Sequence, residues 1–390
     1  RHAAALVAEG TLAPDALAAL RAEVDREVDE AFARAESEPE PDPTGALVEL
    51  YGPSSPDGIA PPWALDEREN TIAAALTRTL AEALARRPSA LVFGEDVEDP
   101  KGGVFGFTRG LSTRFPGRVR NAPLAEATIV GVAAGVAAAG GLPIFELQFI
   151  DFAAPAMNQL ANQLATLRWR SRGDWKCPLV LYAPSGAYLP AGSTWHSQSN
   201  EGLWTHLPGL RVAVPSTPGD MASILWTALN EEDPTLILVP KHRMRLRQPI
   251  VRESRGFGRA RQVARGDDVT VVAWGNGIEV AEDAARLLAG RASVEIIDPV
   301  SLVPFDAASV EASIARTGRL VVVDEDARTG AFGQSVIAEM VGRESRFAHF
   351  LAAPRLVARH DVHIPFHPVL EAAVLPDARR VADAILETLA

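Results

Sequence analysis

The chain has 390 residues, 47% of them apolar and 23% charged, as is ordinary for a globular protein with a sizeable core. This length predicts two or three domains. The net charge of −12 argues against nucleic acids and anionic membrane surfaces as partners, because both select basic patches. No apolar run reaches the roughly 20 residues of a membrane-spanning helix. The one cysteine, Cys177, cannot form an internal disulfide, which favours a reducing, cytoplasmic compartment.

An amphipathic helix is predicted near the N-terminus, within residues 1–43. Apolar residues recur there at steps of three and four and form one stripe, made of Leu17, Leu20, Val24, Val28 and Phe32. The run "EPEPDP" at 38–43 ends the helix, because proline has no backbone N–H to donate. An isolated stripe has nothing to bury itself against, so we expect it to pack on a surface outside this segment. Residues 44–65 are rich in proline, glycine and serine and are predicted to be a linker.

From residue 66 to about 250, short apolar runs alternate with longer helical stretches. Strands are predicted at 90–93, 142–147, 178–183, 210–215 and 235–240, and helices at 68–86, 125–140, 153–172 and 218–230. Near-continuous apolar strands separated by helices are typical of a parallel sheet covered on both faces. A polar, arginine-rich stretch interrupts the pattern at 241–268. Further strands follow at 269–274, 293–297 and 320–324, so residues 262–390 are predicted to form a second, smaller α/β domain.

Three segments carry candidate functional residues. Glu126 is the only acid in "NAPLAEATIVGVAAGVAAAGG" and lies at a predicted helix start, where the helix dipole favours a carboxylate. It is either a first-turn capping residue or a carboxylate in an apolar pocket, where desolvation strengthens its hydrogen bonds. Phe152, near the carboxyl edge of the sheet, is either a core residue or a stacking platform for a flat ring. His196, in "GSTWHSQSNEG", is by itself either an ordinary polar loop residue or a catalytic group.

Four stretches occur in one order: "LVFGEDVEDPKGGVFGFTRGL", "NAPLAEATIVG", "ELQFIDFAAPAMNQ" and "WHSQSNEG". In order and spacing they resemble the β subunit of the thiamine-diphosphate-dependent E1 component of 2-oxo acid dehydrogenase complexes, of the pyruvate or branched-chain type. The resemblance runs from about residue 66 to the C-terminus. It implies a transketolase-like pyrimidine-binding domain at 66–250 and a transketolase C-terminal domain at 262–390. The first helix with "EPEPDP" resembles the C-terminal tail of the α subunit, which implies that residues 1–43 come from an α–β fusion.

The resemblance also implies roles for single residues. Glu126 would hydrogen-bond N1′ of the aminopyrimidine and so promote removal of the C2 proton of the cofactor. Phe152 would stack on the pyrimidine, with Gln148 and Leu124 beside it. His196 would face the reacting carbons, where it stabilises or protonates an oxyanion or positions the lipoyl group.

The implied partners and ions complete the prediction. The E1 α portion would hold the diphosphate and its Mg²⁺ through a GDG motif, which is absent from this sequence. Some family members bind K⁺ near the segment matching "NEEDP", where Glu231 and Asp233 are the candidate ligands. The implied reaction is oxidative decarboxylation of a 2-oxo acid with acyl transfer to lipoyl groups of the E2 acyltransferase, in a homo-oligomeric assembly. The alternatives are a self-sufficient transketolase-like enzyme and a module that mainly docks E2.

Overall fold

The computed structural model describes residues 1–47, 50–66, 69–188, 192–250 and 253–390. It divides into two compact units, 1–48 and 49–390. The first unit contains helices α1 (His2–Ala8) and α2 (Pro14–Ser37) and a 3-10 turn at Pro43–Leu47. The predicted amphipathic helix is confirmed as α2. Its apolar stripe is exposed, with Val24 at 47% and Phe32 at 65%.

The second unit contains a seven-stranded sheet that begins the larger α/β region. Its strands are β1 (Ala90–Gly94), β2 (Val119–Asn121), β3 (Leu142–Glu146), β4 (Val180–Ser185), β5 (Arg211–Ala213), β6 (Thr235–Pro240) and β10 (Ser301–Val303). Their spatial order is β10-β5-β6-β4-β3-β1-β2. The pairs are parallel except β10 with β5. A strand from the later part of the sequence thus completes the edge of the first sheet.

Helices cover this sheet at its two faces and ends. They are α3 (Ile72–Arg86), α4 (Leu111–Arg114), α5 (Glu126–Ala138), α6 (Leu167–Arg170), α7 (Ser193–His196), α8 (Glu201–Thr205) and α9 (Pro218–Ala228). Thr71 caps α3 and Thr217 caps α9, each by accepting a backbone N–H of the first turn. Helices α3 and α9 pack together over one face. The buried apolar side chains of α3 recur at helical spacing, as the sequence pattern predicts.

The single helix predicted at 153–172 is wrong. The chain instead forms a 3-10 turn at Ala154–Ala156, a π-helical turn at Gln159–Leu164 and the short helix α6. Pro155 lacks the backbone N–H that a continuous α-helix would use, and the π turn shifts the register of the residues after it.

A second, five-stranded sheet has the strand order β12-β11-β8-β9-β7. Its strands are β7 (Arg261–Ala264), β8 (Val269–Ala273), β9 (Val294–Asp298), β11 (Leu320–Ala327) and β12 (Arg355–Arg359), and only β7 runs antiparallel to its neighbour. The helices of this region are α10 (Gly277–Leu287), α11 (Ala307–Thr317), α12 (Phe332–Val341), α13 (Glu344–Phe347), α14 (Pro368–Val374) and α15 (Ala378–Leu389). Among the described helices of the whole chain, none is both long and apolar enough to cross a membrane.

The segment predicted as a linker is tied to the sheet by hydrogen bonds where the structure describes it. The backbone N–H of Gly52 donates to Asp233 Oδ2 at 2.8 Å, and the guanidinium of Arg211 donates to Gly52 O at 3.1 Å. The Ser54 hydroxyl donates to Glu231, and the N–H of Ile59 donates to the Thr227 hydroxyl at 2.8 Å. Its composition is that of a linker, but these bonds fix residues 52–59 on the surface of the second unit.

Candidate functional site

The candidate site lies at the carboxyl edge of the first sheet. Glu95 directly follows β1, Glu146 ends β3, and Lys241 directly follows β6. Strands β1, β3, β4 and β6 are parallel neighbours, so the residues at their carboxyl ends meet along one edge. This edge is where open parallel sheets bind ligands. The segments that follow β3 and β4 carry three of the five predicted site residues, namely Gln148, Phe152 and His196, and the other two follow β2.

Glu126 belongs to a group of acidic side chains at this edge. It is the first residue of α5 and is half-buried. Glu95 is 4% exposed, and its Oε1 atom has no hydrogen-bond partner among the described residues. Burial raises the pKa of Glu95, and the negative charges of Glu126 and Asp96 raise it further. Glu126 and Glu95 are therefore close enough to interact electrostatically, which the sequence did not predict.

Glu146 is the most deeply buried acid of this group, at 1% exposed. Its Oε2 accepts a hydrogen bond from the Tyr182 hydroxyl at 2.9 Å. Burial raises the pKa of Glu146 to about 8, an effect that the Tyr182 bond opposes and that the nearby Glu95 and Asp96 charges reinforce. Gly103, at φ +80°, passes close by, and a Cβ there would lie 3.0 Å from Glu146 Oε1. The Glu146 side chain is thus mainly protonated at pH 7.

His196 and Phe152 are in direct contact. The His196 ring stands edge-on to Phe149 and Phe152, with centroid separations of 4.7 and 5.4 Å. His196 ends α7, and Phe152 ends the 3-10 turn that follows β3. The structure therefore brings two distant predicted residues into one aromatic cluster.

Asp151 fixes the chain that follows His196. Its Oδ1 accepts the backbone N–H groups of Ser197 at 3.0 Å and Gln198 at 2.9 Å. Burial raises the pKa of Asp151, while the Gln198 bond and the charge of Lys241 lower it. The Lys241 ammonium lies 5.3 Å from the centroid of the Phe149 ring, which also contacts the His196 ring. These contacts hold the His196 loop against the sheet edge.

The other two predicted residues differ in their placement. The Gln148 side-chain amide donates to Asp96 Oδ2 at 3.3 Å, which places it beside the acidic group. Leu124, in the loop between β2 and α5, is 82% exposed. Sequence reasoning missed Glu95, Glu146 and Asp151, although each is an acid at or just after an apolar strand, and that position is a usable signal.

The predicted potassium ligands are engaged by arginines. Asp233 accepts from Arg168 Nε at 2.8 Å and from the Arg211 guanidinium at 2.7 Å. Glu231 lies 3.5 Å from Arg211 and accepts from the Ser54 hydroxyl. Two guanidinium groups already balance these carboxylates, so their side chains do not fit a K⁺ site. Within the described parts of the chain, no group of three or more His, Cys, Asp or Glu side chains has a metal-binding arrangement.

Comparison with known proteins places these features in a family. Residues 68–247 match the family model described as the transketolase pyrimidine binding domain, and residues 258–381 match the transketolase C-terminal domain. A solved structure entitled "Split gene transketolase, inactive beta4 tetramer" shares the fold with a TM-score of 0.66 at 26% identity. The match covers 83% of this chain and 98% of that one. The predicted transketolase-like α/β fold is confirmed.

Curated relatives agree with the resemblance found in the sequence. The "2-oxoisovalerate dehydrogenase subunit beta" of Bacillus subtilis is 35% identical over 318 residues, which is 80% of this chain and 96% of that protein. The "3-methyl-2-oxobutanoate dehydrogenase subunit beta" of Mycobacterium tuberculosis is 38% identical, over 82% and 92% of the two chains. The "Pyruvate dehydrogenase E1 component subunit beta" of Leifsonia xyli subsp. xyli is 38% identical, over 81% and 94%. The chain therefore belongs to the transketolase-like family of 2-oxo acid dehydrogenase E1 β subunits.

Proposed function

We propose that this chain is the β part of a thiamine-diphosphate-dependent E1 enzyme, which decarboxylates a 2-oxo acid and passes the acyl group to lipoyl groups of an E2 acyltransferase. One observation carries the proposal. The sheet edge that holds Glu126 and its acidic neighbours also holds the Phe152–His196 ring pair. This chemistry requires three groups from a β subunit, namely a carboxylate, an aromatic surface and a histidine, and all three lie at one edge of the sheet.

The side chains at this edge fit an aminopyrimidine. Phe152 offers an apolar ring, Gln148 offers an amide, and Glu126 offers a carboxylate at a helix start. The unpartnered Oε1 of Glu95 leaves a further buried acceptor in the same group. When bound, thiamine diphosphate supplies the electron sink for the pair released by decarboxylation. Glu126 would share a proton between its carboxylate and the ring nitrogen.

His196 would act on the developing oxyanion. Its position is fixed through the backbone of the next two residues, which Asp151 holds by two hydrogen bonds. A donor that is already in place loses little free energy to reorganisation when charge develops, which is how such groups lower a reaction barrier. The same position is suited to receiving the lipoyl group.

A second polypeptide portion would complete the site. Glu126 is only half-buried, and α5 leaves apolar side chains uncovered, including Val132 at 39% exposed. A mostly apolar helix with an uncovered face suggests a partner surface. We propose that an E1 α portion covers this face and holds the diphosphate with Mg²⁺, and that residues 1–43 are the end of that portion in an α–β fusion. The solved split-gene transketolase, whose title describes an inactive β4 tetramer, is consistent with a homo-oligomer that needs a second chain.

The Glu126 assignment is tested by cofactor activation. We expect Glu126→Gln to abolish hydrogen–deuterium exchange at C2 of bound thiamine diphosphate in the α-complemented enzyme, because an amide cannot take up the shared proton. Glu344→Gln, an exposed change at the start of α13, is the control. A normal exchange rate in the Glu126 variant would remove Glu126 from this role.

The need for an α portion is tested by calorimetry. We expect this chain alone to bind thiamine diphosphate and Mg²⁺ weakly, and binding to tighten when the α portion is added. Tight binding together with decarboxylase activity of the chain alone would favour the self-sufficient enzyme instead.

A further inference from the structure

A cavity of about 420 Å³ lies beside the segments that follow β4 and β6. It is bounded by Tyr188 after β4, His242 after β6, and the helices α10, α14 and α15. Its volume falls within the range of about 300–1,000 Å³ that is usual for small-molecule sites. The residues to which we assign cofactor or oxyanion contacts do not line it. The cavity is therefore a second concave site in the same unit of the protein.

The cavity wall is acidic. Four carboxyl groups line it, those of Glu279, Asp283, Glu371 and Asp377, and the described lining contains neither lysine nor arginine. Three of them already have partners. Glu279 bonds His242 Nε2 at 3.1 Å, Asp283 pairs with Arg286, and Asp377 accepts the first backbone N–H groups of α15. The carboxyl groups in this wall disfavour an anionic ligand, although the charge of Lys241 also acts on Glu371 from outside the lining.

Glu371 is the carboxyl group that retains a vacant acceptor. It is 3% exposed, and its Oε1 accepts the Tyr188 N–H at 3.0 Å. Its Oε2 is buried with no partner among the described residues. Leaving a buried polar atom unpaired costs about 1–3 kcal/mol, more for a charged group. A ligand N–H that reaches Oε2 would recover that energy.

The rest of the wall is apolar and would hold a hydrocarbon body. Its apolar members are Val280, Pro368, Ala372, Leu375, Pro376 and Ala378. We propose that this cavity binds a small organic cation, whose ammonium group donates to Glu371 Oε2 while its apolar body packs against α14 and the residues that follow it. The concave shape favours a small molecule over a lysine side chain presented by a protein, and the test below separates the two.

The experiment is calorimetric titration of the full chain with three probes of one shape. Cyclohexylmethylammonium carries the positive charge, cyclohexylmethanol is neutral, and cyclohexanecarboxylate is negative. We expect the ammonium probe to bind one site at least about 10-fold more tightly than the alcohol, because a hydrogen bond to a charged group adds roughly 1.5–3 kcal/mol. We expect no measurable binding of the carboxylate. Equal binding of the ammonium and the alcohol, or tighter binding of the carboxylate, would overturn the proposal.

Two variants locate the binding. Glu371→Gln should weaken the ammonium probe by about 10-fold or more, because it removes the charge and keeps the shape of the side chain. Ala372→Phe should fill the apolar part of the cavity with a phenyl ring. Because Ala372 is exposed, this variant still tests the site if Glu371→Gln, a change at a buried residue, does not fold. Glu344→Gln lies outside the cavity and should bind as the parent does. An unchanged affinity of Ala372→Phe for the ammonium probe would refute the location. If a lysine-containing peptide binds the site more tightly than the ammonium probe, the ligand is a protein partner and the small-molecule proposal is wrong.

Discussion

Replacement of Glu146 by glutamine should change how the stability of the protein depends on pH. Glu146 is 1% exposed, and burial raises its pKa to about 8 from the ordinary 4.5. The folded state therefore keeps this proton at pH values where the unfolded chain has lost it. The stability that the group contributes is fully present below about pH 4.5 and is lost as the pH rises through about 8. Glutamine has nearly the shape of the protonated acid and does not titrate.

The size of the effect follows from the two pKa values. Between them the folded state binds one more proton than the unfolded state, so the free energy of unfolding falls by about 1.4 kcal/mol for each pH unit. From pH 5.5 to 7.5, Glu146 alone should lower the free energy of unfolding by about 2–3 kcal/mol. In Glu146→Gln, the amide oxygen of the new side chain can still accept the Tyr182 hydroxyl, which donates to the native carboxyl at 2.9 Å. The variant should therefore become more stable relative to the parent as the pH rises.

Urea denaturation followed by circular dichroism measures this difference. The parent, Glu146→Gln and the exposed control Glu344→Gln are unfolded at pH 5.5 and at pH 7.5. The free energy of unfolding of Glu146→Gln minus that of the parent should increase by about 2–3 kcal/mol from pH 5.5 to pH 7.5. The control should show the same pH dependence as the parent. An infrared band of a protonated carboxyl that disappears in the variant gives an independent reading. If this difference in the free energy of unfolding is the same at both pH values, Glu146 is ionised in the folded protein and the reasoning is wrong.

Three further changes test the site and the fold. His196→Ala should leave thiamine diphosphate binding intact in the α-complemented enzyme but slow turnover with a lipoyl domain by about 10²–10³-fold, and unchanged turnover would make it an ordinary loop residue. Asp151→Ala should lower kcat with little change in cofactor affinity, because the two backbone N–H groups after His196 lose their acceptor. Asp151→Asn keeps an acceptor oxygen and should restore much of the lost kcat. An equal loss of kcat in both variants would contradict a positioning role for Asp151. Asp233→Ala should lower the free energy of unfolding in urea by about 3–5 kcal/mol, because Arg211, which is 2% exposed, loses its closest carboxylate. The exposed control Asp174→Ala should leave the free energy of unfolding unchanged. A small effect at Asp233 would show that Glu231 can pair with Arg211 in its place.

The sequence predicts the sheet strands well because their signal is local. All eight predicted strands occur, and the apolar run of β6, for example, is observed at its predicted bounds, Thr235–Pro240. Burial on both faces requires continuous apolar residues, so the pattern follows directly from the architecture. The missed strands β2, β7, β10 and β12 have three to five residues each and include polar or charged positions. Their pairing depends on neighbouring strands, which a single stretch of sequence does not encode.

The candidate site is predictable only in part, for the same reason. Phe152 and His196 are separately visible as residues after strands, but their edge-on contact depends on the order of β3 and β4 in the sheet. The two bonds from Asp151 depend on the path of the loop after β4. A motif identifies which residues matter, whereas the sheet order decides which of them meet.

The protonated state of Glu146 has a consequence for the acidic group around it. The acidic group contains Glu95, Asp96, Glu126 and Glu146, and neighbouring negative charges add to burial in raising the pKa values of Glu95 and Glu146. Burial keeps the proton on Glu146 and so removes one negative charge from the group at pH 7. Asp96 and Glu126 are the less buried members of the group, and Glu126 begins α5, where the helix dipole favours a carboxylate. A buried acid that stays mainly protonated therefore lets this sheet edge hold several carboxyl groups close together with less electrostatic repulsion.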